Sequence, residues 1–338
     1  MKPVGRSQGK GIFIFQKISQ ISKWRQDNSR HKKLKSREVR DSSKGRSSKA
    51  SNKSKQRINS DDGSDNKSET DVADSDAEKP TKADDKKSKK GGGGKEEEDA
   101  ETYVVQKYVS NPFLVAGRKF DMRIYALVTS YSPLTVWLYR SGFCRFSSTR
   151  YSNAAADLEN VFMHLTNVAI QKKSDNYASS NGGKWDIRHL KLHLMSRYGV
   201  EVADRVYHEI QMIVIRSLLS VQQVMIQDKH CVELYGYDVL IDDKFKAWLV
   251  EVNASPSLTA NTADDHALKL EMLRSVIDIM DMDRIMKGNE TRVGGFDLIY
   301  KSCNVPPHDE PSSYSSMLGG EIPEHEYIRR TMTVGGGQ

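Results

Sequence analysis

Apolar and polar positions alternate with period two through the middle of the chain. KFDMRIYALVTSYSPLTVWLYR, residues 119–140, reads as two strands joined at Ser132-Pro133, with Lys119, Asp121 and Arg123 sharing one strand face. YVVQKYV at 103–109 is strand-like as well, and a glycine-rich loop at 5–11 leads into a strand at Ile12 to Phe15. Further on, the period becomes helical. Residues 186–198 and 202–226 predict two helices, the second with Val206, Ile210, Ile213, Val214, Leu218 and Val221 at helical spacing. Residues 264–286 predict another, and 17–27 a short one. YGYDVLID (235–242) and WLVEVN (248–253) predict a hairpin across the polar loop Asp242-Asp243-Lys244-Phe245. Hairpins mixed with packed helices give an α+β class. The end, 302–338, with Pro306-Pro307, Gly319-Gly320 and a terminal glycine run, predicts a loose tail.

The second strand of that hairpin carries chemistry. Glu251 and Asn253 interrupt an apolar run, and side chains two apart in a strand share a face, so their oxygens project together while Trp248, Val250 and Val252 pack on the other. Pairing across the hairpin sets Asp238 opposite Glu251. Two carboxylates and an amide oxygen are hard ligands, suited to Mg²⁺ or Mn²⁺ and poorly to zinc. A strand-end acid facing water is the alternative. An acid buried in so apolar a run must lose its charge or find a partner, which favours the metal.

Composition divides the chain. Residues 28–100 have no aromatic residue and, of Leu, Ile and Val, only Leu34, Val39, Ile58 and Val72, so they cannot bury a core and are expected to be a disordered insertion. It lies between 1–27, the start of the folded region, and a body at 101–300, with 301–338 as the tail. Residues 28–60 hold 12 Lys/Arg against 2 Asp/Glu, whereas 61–100 hold 8 against 14. From 101 onward 26 basic residues face 28 acidic ones, so the overall +7 does not come from the body and no nucleic-acid partner is expected. The three cysteines show no paired spacing, which fits a reducing compartment. No apolar run approaches the roughly 18–20 residues of a membrane span, and the first residues are polar rather than signal-like, so no membrane partner is expected.

Gly5-Arg6-Ser7-Gln8-Gly9-Lys10-Gly11 places flexible backbone and cations where phosphate oxygens could be wrapped, although its spacing is neither that of a P-loop nor of a dinucleotide turn. With a Mg²⁺ platform and the Lys119, Asp121, Arg123 face, it makes the parts of a nucleotide triphosphate site. A cross-strand ion network would account for that face equally well.

MKPVGRSQGKGIF, QKYVSNPFLVAGRKFDMRIYALV, GFCRF, HLTNVAIQK, GGKW, DKHCVELYGYDVLIDDKFKAWLVEVNASPSLTA and RVGGFDLIY follow one another in an order that resembles the ATP-grasp ligases of the tubulin tyrosine ligase-like family, within it the polyglutamylase branch. The resemblance implies that Lys2 touches ATP phosphates and that Gln8 and Gly9 belong to the loop covering them. Gln106, Lys107, Tyr108 and Val109 would be the adenine hinge. Lys119, Phe120 and Asp121 would contact adenine and ribose, Arg123 a phosphate, and Thr166 and Asn167 would line the nucleotide site. Asp238, Glu251 and Asn253 would hold two Mg²⁺ ions, with Arg123, Glu251 and Asn253 catalytic. Arg145 would grip a carboxylate of the incoming amino acid, assisted by Lys184 and Lys269.

The implied reaction is ATP-dependent amide formation between free L-glutamate and a glutamate side chain of a tubulin tail, through an acyl phosphate. Glycine or tyrosine addition would differ in the amino-acid pocket. The implied setting is cytoplasmic, on the microtubules of the cytoskeleton, of cilia and flagella, and of basal bodies, with accessory subunits as further partners. The basic run at 28–60 suits acidic tubulin tails. The resemblance also implies a partial ATP-grasp, since the chain begins where family members have already built an amino-terminal domain. A reading of another class is a microtubule-associated scaffold, or a glutamylase-complex subunit, that keeps the fold without catalysis.

Overall fold

The computed structural model of the chain describes residues 1–4, 8–24, 102–177, 183–228, 230–260, 262–303, 305 and 316–322. The chain divides into two compact units, one of residues 1–14 and 101–338 and the other of 15–100. In the second unit residues 18–24 are helical. The expected disordered insertion, 28–100, lies outside the described residues.

The first unit is built on an antiparallel sheet. Its strands are β3 (Leu114–Val115), β4 (Arg118–Tyr131), β5 (Leu134–Phe146), β6 (Lys184–Asp186), β7 (Glu233–Ile241), β8 (Ala247–Asn253), β9 (Arg292–Val293) and β10 (Phe296–Lys301). The order is β8-β7-β4-β5-β10-β9, with β3 on β4 and β6 on β5. Two further strands, β1 (Lys2–Pro3) and β2 (Tyr103–Val104), pair with each other. The helices are α1 (Val161–His164), α2 (Val168–Gln171), α3 (Ile187–Tyr198), α4 (Val200–Val221) and α5 (Ala263–Met280). No helix among the described residues is long and apolar enough to cross a membrane.

Alternation along β4 sorts the core. Phe120, Met122, Ile124 and Ala126 pack with Ile187, Leu190 and Leu194 of α3 and Val206, Ile210 and Val214 of α4. Tyr125 and Leu127 turn the other way, toward Tyr139 and Phe143 of β5 and Met272, Val276 and Ile279 of α5. Each fully buried aliphatic or aromatic side chain contributes roughly 1.5–3 kcal/mol, so both faces are held. Lys119, Asp121 and Arg123 share the α5 face by the same parity.

Several boundaries differ from expectation for local reasons. Only Tyr103–Val104 of 103–109 is strand. Ile12 to Phe15 is not strand either, although Met1 exchanges bonds of 3.0 and 3.1 Å with Phe13. Helix α4 begins after Gly199 (φ 92°) and stops at Val221 rather than 226. Helix α5 stops at Met280 because Asp281 turns left-handed (φ 46°) and its carboxylate then accepts from the Ile285 and Met286 amides.

Strand β8 is an edge, not a buried strand. Trp248 and Val252 remain 40% and 41% exposed, so the apolar face expected to pack does not. The expected loose tail holds a packed segment as well. Leu318 is buried in the core, the Met317 amide donates to Asp297, and the Gly319 amide donates to the Arg140 carbonyl. Asp297 itself is fully buried against Arg140 at 2.6 Å, so β10 and this segment share one ion pair.

Candidate active site

Cross-strand register assembles the site. Asp238 of β7 stands opposite Glu251 of β8 and Arg123 of β4, while Asp121 of β4 stands opposite Arg145 of β5, and Arg145 opposite Lys184 of β6. The result is a band of paired charges across five strands. Arg123 donates to both Asp238 oxygens, at 2.6 and 3.2 Å, and Arg145 donates to both Asp121 oxygens, at 2.8 and 2.5 Å. Arg145 also lies 2.8 Å from Asp238, joining the two pairs. Gly236 makes room for this. A Cβ there would lie 2.9 Å from Pro256 and 3.2 Å from the Arg123 side chain, so only glycine lets the guanidinium cross to Asp238.

Burial and charge compete at these groups. Burial alone would push the Asp238 carboxyl up, but Arg145 and Arg123 outweigh it and hold it below the ordinary value. Lys184, 2.9 Å from Asp265 and 4.2 Å over the Phe143 ring, is lowered by burial against the pull of Asp265. Lys269 joins the same carboxylate at 3.2 Å and donates to the Thr259 carbonyl.

The other expected residues gather at the β1, β2 and β3 end. A bulge in β8 releases the Val250 carbonyl, which accepts from Lys2 at 3.2 Å and Gln106 at 3.3 Å, and Lys2 also pairs with Glu251 at 3.2 Å. Lys119 donates to the Tyr108 hydroxyl and the His164 carbonyl, and burial drives its pKa down to about 8 despite Asp121. Gly9 (φ 75°) lies so close to Asn167 that a Cβ would sit 2.8 Å from its side-chain oxygen, bringing the glycine loop against the residue that caps α2. Thr166 is buried beside it, while Gln8 (φ 61°) is in the loop. Lys107 and Val109 lie in the irregular stretch after β2. Phe120 is different, for its ring faces the α3 and α4 core between Phe113 and Phe146 and only its backbone borders this end.

Among the described residues no three His, Cys, Asp or Glu side chains form a metal cluster by themselves. The donor chemistry nonetheless fits Mg²⁺. Glu251 engages only one carboxylate oxygen, with Lys2, and Asn253 donates through its NH₂ to the Gly236 carbonyl, leaving Glu251 Oε1 and Asn253 Oδ1 without a partner among the described residues. Mg²⁺ commonly takes one or two carboxylates and completes its shell with water and phosphate oxygens, which suits this sparse set.

Sequence reasoning missed His164, Asp265, Tyr125 and Tyr139. His164 bonds Tyr108 at 2.9 Å, and Asp265 ties Lys184 to Lys269 from the first turn of α5. Thr262 caps that turn by accepting from the Asp265 amide, a cap-plus-acid pattern visible in the sequence. Tyr125 and Tyr139 carry no such signal.

The tubulin-tyrosine ligase family matches residues 1–291. A mouse protein named "Probable tubulin polyglutamylase TTLL9" is 41% identical over 317 residues, covering 94% of this chain and 61% of that protein. A Caenorhabditis elegans protein, "Probable tubulin polyglutamylase ttll-9", is 38% identical over 317 residues, covering 92% and 60%. A Tetrahymena thermophila protein, "Probable alpha-tubulin polyglutamylase Ttll1", is 48% identical over 209 residues, covering 59% and 51%.

Proposed function

The chain belongs to the tubulin-tyrosine ligase family, and from that premise we propose that it works as an ATP-dependent ligase adding glutamate to glutamate side chains of tubulin tails. The names of its relatives as tubulin polyglutamylases support the substrate. The observation that carries the chemistry is the charge band, which runs across the sheet from the unpartnered oxygens of Glu251 and Asn253 on β8 through Arg123 to Arg145 and Lys184.

A carboxylate oxygen of the tail attacks the terminal phosphorus of ATP and ADP leaves. The amino group of free glutamate then attacks the acyl carbon, phosphate leaves, and the nitrogen gives its proton to water. This chain supplies positioning and charge rather than a covalent nucleophile. Lys2 and Arg123 face the phosphates, Gln106 and Tyr108 with Lys119 border the adenine, and Thr166 and Asn167 close the nucleotide from the α2 side. Two Mg²⁺ ions, or Mn²⁺ in their place, supply charge neutralisation when held by Asp238, Glu251 and Asn253. The setting follows the substrate, on cytoplasmic and axonemal microtubules with any accessory subunits bound there.

Arg145 uses Nε and Nη2 on the two aspartates and leaves Nη1 without a partner among the described residues, so that edge is offered to the carboxylate of the incoming amino acid. Arg145→Lys keeps a charge but loses the planar fork. The KM for glutamate is expected to rise about tenfold, the equivalent of one charge-assisted bond. Glutamate titrations at saturating ATP check this, and an unchanged KM removes the role.

The proposal itself is tested by incubating the protein with microtubules, Mg²⁺-ATP and each labelled amino acid in turn. Glutamate incorporation is expected. Incorporation of glycine or tyrosine instead would reassign the substrate, and microtubule binding with no incorporation would leave a scaffold. Deleting residues 28–100 is expected to weaken microtubule binding mainly at low salt, since the segment carries the basic run but few apolar residues, and to leave nucleotide affinity unchanged. Loss of nucleotide binding on deletion would make the segment part of the fold.

A further inference from the structure

His164 lies buried at the end of α1, and its ring makes two bonds whose directions chemistry fixes. Nε2 is 3.0 Å from the Asp157 backbone carbonyl, an acceptor with no proton to give, so Nε2 carries the ring hydrogen and Nδ1 keeps its lone pair. The Tyr108 hydroxyl, 2.9 Å from Nδ1, must therefore be the donor there. With its one proton committed, its oxygen is left to accept from Lys119 at 3.2 Å. Lys119 donates a second time, at 2.9 Å, to the backbone carbonyl of the same histidine. Buried Gln171 ties down the backbone on either side by donating to the Phe162 and Leu165 carbonyls, while its own oxygen accepts from the Ser148 amide at 2.8 Å. The Tyr108 and Tyr151 rings meet the imidazole edge-on, each with its centroid 5.7 Å away. One buried histidine thus holds Lys119 by two routes, directly through its carbonyl and indirectly through Tyr108.

We propose that His164 is a positioning residue for the nucleotide: as the neutral tautomer with hydrogen on Nε2, it turns the Tyr108 hydroxyl into an acceptor for Lys119 and leaves one Lys119 N–H for the bound ATP. This role rests on the ligase reading above and adds to it a residue that would not itself touch the nucleotide. Lys119 has three donors, and the third has no partner among the described residues. Adenine ring nitrogens and phosphate oxygens are both acceptors, so a charged lysine suits either. The groups that face the relay keep its protons in this order. Burial lowers the His164 pKa, against the hydrogen bond to Asp157 and the charge of that residue, and the Lys119 charge lowers it further. Burial raises the Tyr108 hydroxyl, as does Tyr151, so Tyr108 keeps the proton that it gives to Nδ1. Burial brings Lys119 down to about 8, which Asp121 only partly offsets. An ammonium so poised depends on its acceptors, because each one favours the charged form.

The test is calorimetric titration of the full chain with a non-hydrolysable ATP analogue and Mg²⁺, across a pH series from about 6.5 to 9.5 that brackets the Lys119 transition. The parent should bind tightly below the Lys119 pKa and lose affinity as pH rises through it, since the neutral amine no longer brings a charge. His164→Gln keeps a donor near the place of Nε2 but removes the acceptor at Nδ1, so Tyr108 no longer reserves its lone pair for Lys119. Its Kd for the analogue should rise about tenfold at neutral pH, and the alkaline loss should begin about one pH unit lower. His164→Asn sets an amide oxygen near the place of Nδ1 and gives up the bond to Asp157, so it should restore most of both properties. Tyr108→Phe keeps the ring over which Lys119 lies at 4.6 Å and removes only the hydroxyl, so it should repeat the alkaline shift of His164→Gln, and it carries the test if that variant fails to fold. A weaker His164→Asn than His164→Gln would overturn the proposal, because it would mean that His164 only anchors α1 to Asp157. An unmoved alkaline limb in Tyr108→Phe would also overturn it. A parent that binds no nucleotide at any pH would instead defeat the ligase reading, and the role of His164 would fall with it.

Discussion

Asp238→Asn is expected to cost about 3–5 kcal/mol of folding stability and to abolish activity with it. Asp238 is 2% exposed and answers two guanidinium groups, Arg123 and Arg145, that are themselves 8% and 7% exposed. An amide keeps the shape but removes the charge, leaving two buried cations to share Asp121. That is the costly direction of change, because the arginines are left desolvated without full compensation. For a body of this size the loss corresponds to a fall in Tm of roughly 6–20 °C. Thermal unfolding by circular dichroism measures it, and a Tm within a degree of the parent would refute the account of the charge band.

The same carboxylate makes a pH prediction. Its folded pKa is depressed below the ordinary aspartate value, burial being outweighed by Arg145 and Arg123. A depressed carboxyl contributes stability that is complete above its unfolded pKa and is lost as pH falls through the folded one. The parent should therefore lose this contribution only below about pH 4, and the acid limb of its stability curve should be steeper than that of Asp238→Asn.

Much of this band was legible because it follows from counting along strands. The length of the 242–245 loop was enough to place Asp238 across from Glu251, as the register has it, and alternation was enough to put Lys119, Asp121 and Arg123 on one face. What the alternation could not reveal was which distant strand would lie beside β4. Arg145 therefore entered only through the resemblance, as a grip for the amino-acid carboxylate, whereas pairing with β4 sets it against Asp121. The edge position of β8 was hidden for the same reason, since an apolar run reads alike at an edge and in the middle, and Trp248 turned out exposed. The bulge that frees the Val250 carbonyl has no residue signature. Leu318 was hidden by its setting of glycines, although Asp297 and Arg140 hold it down from outside that setting. Tyr139 read as one more apolar strand position, and only the absence of a partner for its hydroxyl singles it out.

Glu251→Gln separates chemistry from folding where Asp238→Asn combines them. Glu251 sits on the edge strand with a side chain 36% exposed, and its one ion pair, to Lys2 at 3.2 Å, is of the partly exposed kind that contributes about 0–1 kcal/mol. Glutamine can still accept from Lys2, and Oε1 loses no existing hydrogen bond among the described residues, so Tm should change little. What the variant loses is one of the few anionic oxygens available to a divalent cation. Asp238 is already shared by two arginines and Asn253 is neutral, so no neighbour can replace that charge. Turnover is expected to fall by at least about 100-fold, the equivalent of ~2.7 kcal/mol of transition-state stabilisation. Mg²⁺ titration of glutamate incorporation should show a higher Mg²⁺ requirement in the variant. Full turnover at an unchanged Tm would remove Glu251 from the metal site. A Tm that falls as far as in Asp238→Asn would mean that Glu251 is held in the fold by more than Lys2.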